Sequence, residues 1–475
     1  MLRKTMTAIL DDLVAAIGAD YVLTGDATAK WQTDWTGDYV LNPAVVVRPG
    51  STDEVAAVLR IANAAGLAVV PVSGNTGLTG ATSNDGALML SVDRLNAVRK
   101  IDPDARSIVV EAGVILSNIH NAADEHDLIF PLTFGARGSA MIGGALSTNA
   151  GGSNVLRYGN TRDLCLGVEV VLADGRVMDL MSELHKDNSG LNLRNLMIGA
   201  EGTLGVITAA VLKLRRKPLA YATAMVAVPT IEDGLALLND IQDATGGAVE
   251  AFEYMPKSYI DRHMERGKNP RRPFDQDYDV NVMIEIGATA PKDATPGDDG
   301  AVPIVAQLET TLAAMFEDGR VLDAVVAQNE AQRREMWDRR EAAGEILFDP
   351  GLCVNTDIAV PLGKVGQALR SITARLQALD PDVHEIIVSH LGDGNIHHTA
   401  YPRRNDPDIM DAMVEAVEDA VQEVGGSFSA EHGVGKSKLE TMRRRKDPVA
   451  LDAMRAIKAA LDPKGIMNPG KVIPT

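Results

Sequence analysis

The sequence predicts an α+β chain of more than one domain, on three observations. Its 475 residues are too many for one hydrophobic core. Its first half reads as a strand–helix–strand unit followed by a hairpin and a closing strand. Its second half alternates strands with helices.

In chain order, residues 1–39 read as a short helical arm followed by irregular chain. Leu10, Leu13, Val14 and Ile17 fall at helical spacing, and Asp11 and Asp12 interrupt the apolar run, so this is not a signal peptide. A-V-V-V-R-P (44–49) reads as a strand. S-T-D-E (51–54) reads as a capping box, in which Ser51 accepts from the helix and Glu54 reaches back. The helix stops at Gly66, and L-A-V-V-P-V begins the second strand of a βαβ unit. V-E-V-V-L-A-D-G-R-V-M-D-L (168–180) reads as a hairpin turning at Asp174-Gly175. A strand over 207–218 ends at Pro218, which places a boundary near 218–222. Beyond it, 280–287 reads as a strand, 305–317 and 326–347 as helices, and 288–301 as a Pro/Gly/Asp loop. D-P-K-G-I-M-N-P-G-K, near the end, reads as turns with no apolar face.

Composition removes several function classes. With 46 basic against 65 acidic residues the net charge is -19, which argues against nucleic acid or an anionic membrane as the main partner. Two distant cysteines, Cys165 and Cys353, make no disulfide framework and fit a cytoplasmic protein. No apolar stretch is long enough to span a bilayer, and peripheral association stays open. The run R-R-R-K (443–446) reads as a solvated helix end, and Trp31, Trp35 and Trp337 read as packing.

Three glycine-rich stretches precede residue 220: P-V-S-G-N-T-G-L-T-G-A-T (71–82), G-A-R-G-S-A-M-I-G-G-A-L-S-T-N-A-G-G (135–152) and G-A-E-G-T-L-G-V-I-T (199–208). Glycine removes the Cβ that blocks close approach, so such loops let backbone N–H groups converge on an anion. None has the spacing of a Rossmann fingerprint or a P-loop. Together they suit a long, flat, phosphate-containing ligand.

In the second half, S-H-L-G-D-G-N-I-H-H (389–398) spends three of nine histidines around one turn. Residues 386–390 and 396–401 read as the strands of a hairpin that brings His390 and His397 within cross-strand reach, with the register left open. Further on, S-A-E-H-G-V-G-K (429–436) offers Glu431 and His432. Two histidines and a carboxylate suit an open Zn²⁺ or Mn²⁺ site; packing and surface roles are equally compatible with the pattern alone.

The ordered glycine motifs, with R-Y-G (157–159) and V-V-L-A-D-G, resemble the FAD-binding domain of the vanillyl-alcohol oxidase superfamily. H-L-G-D-G-N-x-H and A-E-H-G extend the likeness to its FAD-dependent D-2-hydroxy acid dehydrogenases, over the chain from about residue 40 onward. That resemblance implies a two-subdomain FAD-binding domain over 40–220, an α/β substrate- and metal-binding cap over 221–458, and a segment over 459–475 returning to the FAD domain. It assigns the cofactor to Ser73, Gly74, Asn75, Thr76, Gly77, Gly80, Gly138, Ser139, Gly143, Gly144, Thr148, Asn149, Gly151, Gly152, Glu201, Gly202, Ile207 and Asn468. The flavin is expected to be non-covalent, because residues 71–82 contain no His or Cys.

By the same likeness His390, His397 and Glu431 become ligands of a divalent Zn or Mn ion, His432 the base, and Arg340 the partner of the substrate carboxylate. His398 has no role and is expected to face solvent. The implied reaction takes D-2-hydroxyglutarate or D-lactate to the 2-oxo acid, with hydride passing to flavin N5. Electrons would leave to an electron-transfer flavoprotein or a quinone, and a cytoplasmic homodimer is expected. Gly344, Asn355 and Thr399 stand where animal-type hydroxyglutarate enzymes of this family carry threonine, lysine and asparagine. The alternatives are a glycolate-oxidase-type or oxygen-using oxidase, marked by hydrogen peroxide, and a non-catalytic flavin-binding subunit, marked by flavin that no acid bleaches.

Overall fold

Valine-rich runs that bury both faces build the first sheet of the structure, a computed structural model describing residues 5–347 and 353–474. The first four residues of the expected N-terminal arm lie outside that range. Val45–Val47, Leu88–Ser91 and Val69–Val72 pair in parallel, with Val22–Leu23 antiparallel at one edge. Helix Thr52–Ala65 makes the crossover and ends at Gly66, whose φ of 67° suits a residue without a Cβ. Ser51 Oγ accepts from Glu54 N at 3.2 Å, while the Glu54 carboxylate reaches Gly50 N rather than the cap residue's own amide.

The second sheet is antiparallel, in the order Val177–Leu180, Cys165–Val171, Val206–Lys213, Ser107–Glu111, Val98–Asp102. Its first pair is the hairpin expected at Asp174-Gly175.

From residue 220 onward the chain forms a seven-stranded antiparallel sheet. Its order is Asp323–Val326, Ala220–Val228, Val280–Ala288, Val249–Pro256, His384–His390, Asn395–Tyr401, Val354–Ala359. One face packs against helices Ile231–Thr245, Pro303–Glu317, Val365–Leu379 and Pro407–Glu423. The other meets helices Lys257–Arg266 and Glu330–Glu341. A sheet covered on both faces reads as apolar runs rather than clean alternation, as Val280–Ala288 does.

Several expectations need correcting. The helix expected over 326–347 is shorter and broken: it runs over Glu330–Glu341, a further helical turn covers Ala343–Ile346, and Val326 ends the edge strand Asp323–Val326. Asn329 sets the break, its side chain accepting from Ala331 N and Gln332 N as an N-cap. The 288–301 loop contains one helical turn, Pro291–Ala294. Ile466 and Met467, expected in turns with no apolar face, are buried in the core of the first sheet, and Met467 bridges Val69 in parallel. Arg445 is no solvated helix end, because its guanidinium is held by Glu415, Glu418 and Asp419. Trp31 is buried and Trp337 donates to Glu285, but Trp35 is 58% exposed. Among the described residues no helix is long and apolar enough to cross a membrane.

Candidate active site

Strand register decides which side chains share the site. Val388 pairs with His397 and His390 with Asn395, so His390 and His397 stand on one face of the hairpin without any bulge. Glu253 lies opposite His390 on one neighbouring strand, and Asp357 opposite His397 on the other. His398 must therefore point the other way. It is fully buried, not solvent-facing, with Nε2 2.8 Å from Glu385 Oε2.

The turn carrying Glu431 and His432 closes over this face. His390 Nε2 lies 4.0 Å from Glu431 Oε1, and His397 Nε2 3.9 Å from Glu431 Oε2. The His390 and His397 rings meet edge to face at 5.5 Å, and His432 stacks on His397 at 5.5 Å. The ligand atoms of His390, His397 and Glu431 all lie within 4.8 Å of one another. A single ion bonded at about 2.0–2.2 Å to imidazole and carboxylate fits that donor set. Burial pushes the Glu431 carboxyl up to about 7, and a divalent cation would hold it ionised.

Around these lie residues that sequence reasoning missed. Glu253 bonds His390 Nδ1 at 2.8 Å and Arg340 Nε at 2.6 Å. Burial would raise the Glu253 carboxyl, but Arg340 and His390 hold it down at about 2. Burial and Glu253 act oppositely on His390, and the net shift is upward. Asp357 accepts from Glu431 N at 2.9 Å, His432 N at 2.8 Å and Asn395 Nδ2 at 2.9 Å. Against a burial that would raise it, His432, Lys438 and His397 hold the Asp357 carboxyl far below the usual range. Burial lowers both His397, which falls well below its ordinary value, and His432. The available signal was a charged residue inside an apolar strand, Asp357 in N-T-D-I-A-V-P and Glu253 in A-F-E-Y-M-P.

Arg340 is almost fully buried, and part of its fork is already engaged. Nε serves Glu253, and Nη2 sits 3.3 Å from His390 Nε2.

The glycine loops converge at the edge of this site. A Cβ on Gly74 would lie 2.4 Å from Ser139 O, so only glycine lets these two loops meet. Gly143 packs on Ala112, and Gly144 faces Ser73, whose buried Oγ has no partner. Gly77 and Gly138 face open space, and Gly80 backs onto Tyr39. Asn75 donates to Thr33 O at 3.0 Å, with Thr76 beside it half-buried. Ser139 is exposed, Thr148 Oγ1 donates to Gly144 O, and Asn149 caps helix Ile142–Thr148 in the left-handed conformation. Gly152 packs on Thr133, Gly202 on Pro71, and Ile207 is buried in the second core. An unpartnered Ser73 Oγ, an unpartnered Asn468 Oδ1 and glycine-backed open space fit a polar, backbone-recognised cofactor.

Three residues of this set also make contacts within the protein. Glu201 accepts from Val434 N and Gly435 N, and Asn468 donates to Glu201 O and Ala81 O. Gly151 lies against Glu431, where a Cβ would come 2.5 Å from Oε1.

This architecture is that of a two-domain flavin-binding oxidoreductase of the vanillyl-alcohol oxidase type. In solved structures the chain is similar to p-cresol methylhydroxylase with substrate bound (TM-score 0.75, 14% identity, 98% of this chain and 96% of that one). It is also similar to 4-ethylphenol oxidase from Gulosibacter chungangensis (TM-score 0.71, 18% identity, 98% and 97%). Residues 43–181 match the FAD binding domain, and 217–472 match the C-terminal domain of FAD linked oxidases. The chain belongs to the FAD-linked oxidase family. Its relatives include D-2-hydroxyglutarate dehydrogenase of Stutzerimonas stutzeri, 34% identical over 98% of this chain and 99% of that protein. The mitochondrial D-2-hydroxyglutarate dehydrogenase of Danio rerio is 35% identical, over 94% and 82%.

Proposed function

We propose that the protein oxidises a D-2-hydroxy acid, D-2-hydroxyglutarate or D-lactate, to the corresponding 2-oxo acid. The supporting observation is the convergence of His390, His397, Glu431 and His432 on one sheet face beside the glycine loops. The named activity of the full-length relatives supports the same reading.

In this reading His390, His397 and Glu431 hold a zinc or manganese ion, and the loops around Ser73, Gly77, Gly138 and Gly144 hold FAD non-covalently. A bound flavin would supply a hydride acceptor for C2, and a bound divalent ion would supply a Lewis acid that lowers the pKa of the substrate hydroxyl. His432 removes the hydroxyl proton at Nε2, since its Nδ1 faces Asp357 Oδ2 at 3.7 Å. The burial that lowers the His432 pKa keeps that nitrogen unprotonated at neutral pH. Arg340 supplies its remaining N–H groups to the substrate carboxylate, with Glu253 fixing the guanidinium. An electron-transfer flavoprotein or a quinone would serve as the electron acceptor.

Residues 344, 355 and 399 bear on the choice of acid. Gly344 presents no side chain and faces open space, Asn355 pairs directly with Thr399, and the buried Thr399 Oγ1 has no partner.

The test is anaerobic bleaching of the bound flavin by a panel of D- and L-2-hydroxy acids, repeated after chelation. Bleaching by a D-acid that fails once the metal is removed is the expected result. If no acid bleaches the flavin the dehydrogenase reading fails; if chelation changes nothing, the metal assignment fails separately.

A further inference from the structure

The turn 431–435 donates amides to two buried carboxylates that come from opposite halves of the chain. Asp357 Oδ2, on strand Val354–Ala359, takes Glu431 N at 2.9 Å and His432 N at 2.8 Å. Glu201, from the loop before strand Val206–Lys213, takes Val434 N on Oε1 at 2.8 Å and Gly435 N on Oε2 at 2.9 Å. Asp357 is 2% exposed and Glu201 6%. Between the two pairs, Gly433 adopts a φ of 77°, and a Cβ there would lie 2.7 Å from Glu201 Oε1. Glu201 itself has a φ of 47°, uncommon outside glycine, and its carbonyl accepts from Asn468 Nδ2 at 2.8 Å. A conformation so constrained persists only where its surroundings over-determine it.

Asp357, His397 and His432 could also be taken for a second metal site, because their ligand atoms lie within 4.8 Å of one another. That carboxylate already accepts three N–H groups, and Lys438 Nζ stands 3.9 Å from Oδ2. Its surroundings are those of an anchored anion.

We infer that Glu201 and Asp357 form a two-sided clamp on the turn 431–435, setting where Glu431 and His432 stand relative to the flavin-side loops. Glu201 thus becomes a positioning residue for groups in the other half of the chain, not a flavin contact through its carboxylate. The inference rests on the roles proposed above for Glu431 and His432. Oriented partners of metal ligands matter because they fix the ligand before the ion arrives.

Glu201→Gln keeps the side-chain shape but turns an N–H₂ group against one of the turn's amides, and Asp357→Asn removes the negative charge from the oxygen that the 431 and 432 amides share. In FAD-loaded protein both variants should retain wild-type flavin content. Their Zn²⁺ affinity, measured by calorimetry, should fall about 10–100-fold. Hydrogen exchange should speed up at residues 434–435 in Glu201→Gln and at 431–432 in Asp357→Asn. Glu385→Gln, on the opposite face of the hairpin, is the control and should keep wild-type affinity. If Asp357→Asn does not fold, Gly433→Ala replaces it, driving a methyl group into the Glu201 carboxylate. Wild-type Zn²⁺ affinity in the clamp variants overturns the inference, as does an equal loss in Glu385→Gln. A wild-type protein that binds no Zn²⁺ overturns it together with the metal assignment. Binding of Zn²⁺ without reduction by any acid defeats the proposed reaction alone and leaves the clamp to be decided by affinity.

Discussion

His432 stacks on His397 and turns Nδ1 toward Asp357, so in the proposed reaction Nε2 is the nitrogen left to take a proton. Truncating it removes a proton acceptor without touching the glycine loops. His432→Ala should keep its full complement of FAD, while anaerobic reduction by the best acid slows roughly 10²–10⁴-fold. Stopped-flow absorbance checks this, and an unimpaired variant would take His432 out of the base role. The residues around it show how far sequence reading reaches. His390 and His397 stood out by their spacing around a turn, because a hairpin is a local object. Glu253 and Asp357 did not, because their partners lie far along the chain: 137 residues separate Glu253 from His390, and 75 separate Asp357 from His432. His398 turns inward rather than to solvent because facing depends on register, which sequence left open; a half-buried neighbour, Glu385, meets it on the far side.

At the scale of elements, the helix Glu330–Glu341 brings Arg340 to the site, and one buried carboxylate ties that helix down. Glu285 accepts from Arg333 Nε and Nη2, both at 2.7 Å, and from Trp337 Nε1 and Thr223 Oγ1, both at 2.8 Å. Glu285→Ala should destabilise the protein by about 3 kcal/mol, since it strands a partly buried arginine. It should also raise KM for the acid more than it lowers kcat. Chemical denaturation and steady-state kinetics read the two effects. The elements themselves were legible where the signals were local: the Ser51 cap, the Gly66 stop and the Asp174-Gly175 turn all fall where expected. The helix expected from 326 starts late because Val326 ends a short strand, Asp323–Val326, which pairs with Ala224–Ala227. Nothing within four residues announces such a partner.

Across the whole molecule, the two halves meet through side chains as well as through the clamp. Arg157 and Tyr158 both reach Glu250 Oε1, at 2.7 and 2.6 Å, and Arg157 also bonds Gly287 O. Leu156 fills the space beside Gly392, in the turn of the hairpin that carries His390 and His397. Glu250→Ala should loosen this seam, splitting a single calorimetric unfolding transition into two and speeding limited proteolysis near 217–222. Retention of one cooperative transition would show that the seam does not need this pair.

The pairing of Met467 with Val69 also has a consequence for how the protein is made. Val69–Val72 leads directly into the first glycine loop, yet its outer neighbour, Met467, lies 398 positions further along the chain. Domains generally fold from the N-terminus as they emerge, but here the first sheet cannot complete its own edge until Ile466 and Met467 are available. A product truncated before residue 466 therefore lacks the segment that flanks Val69 at the edge of that sheet, however complete its glycine loops are.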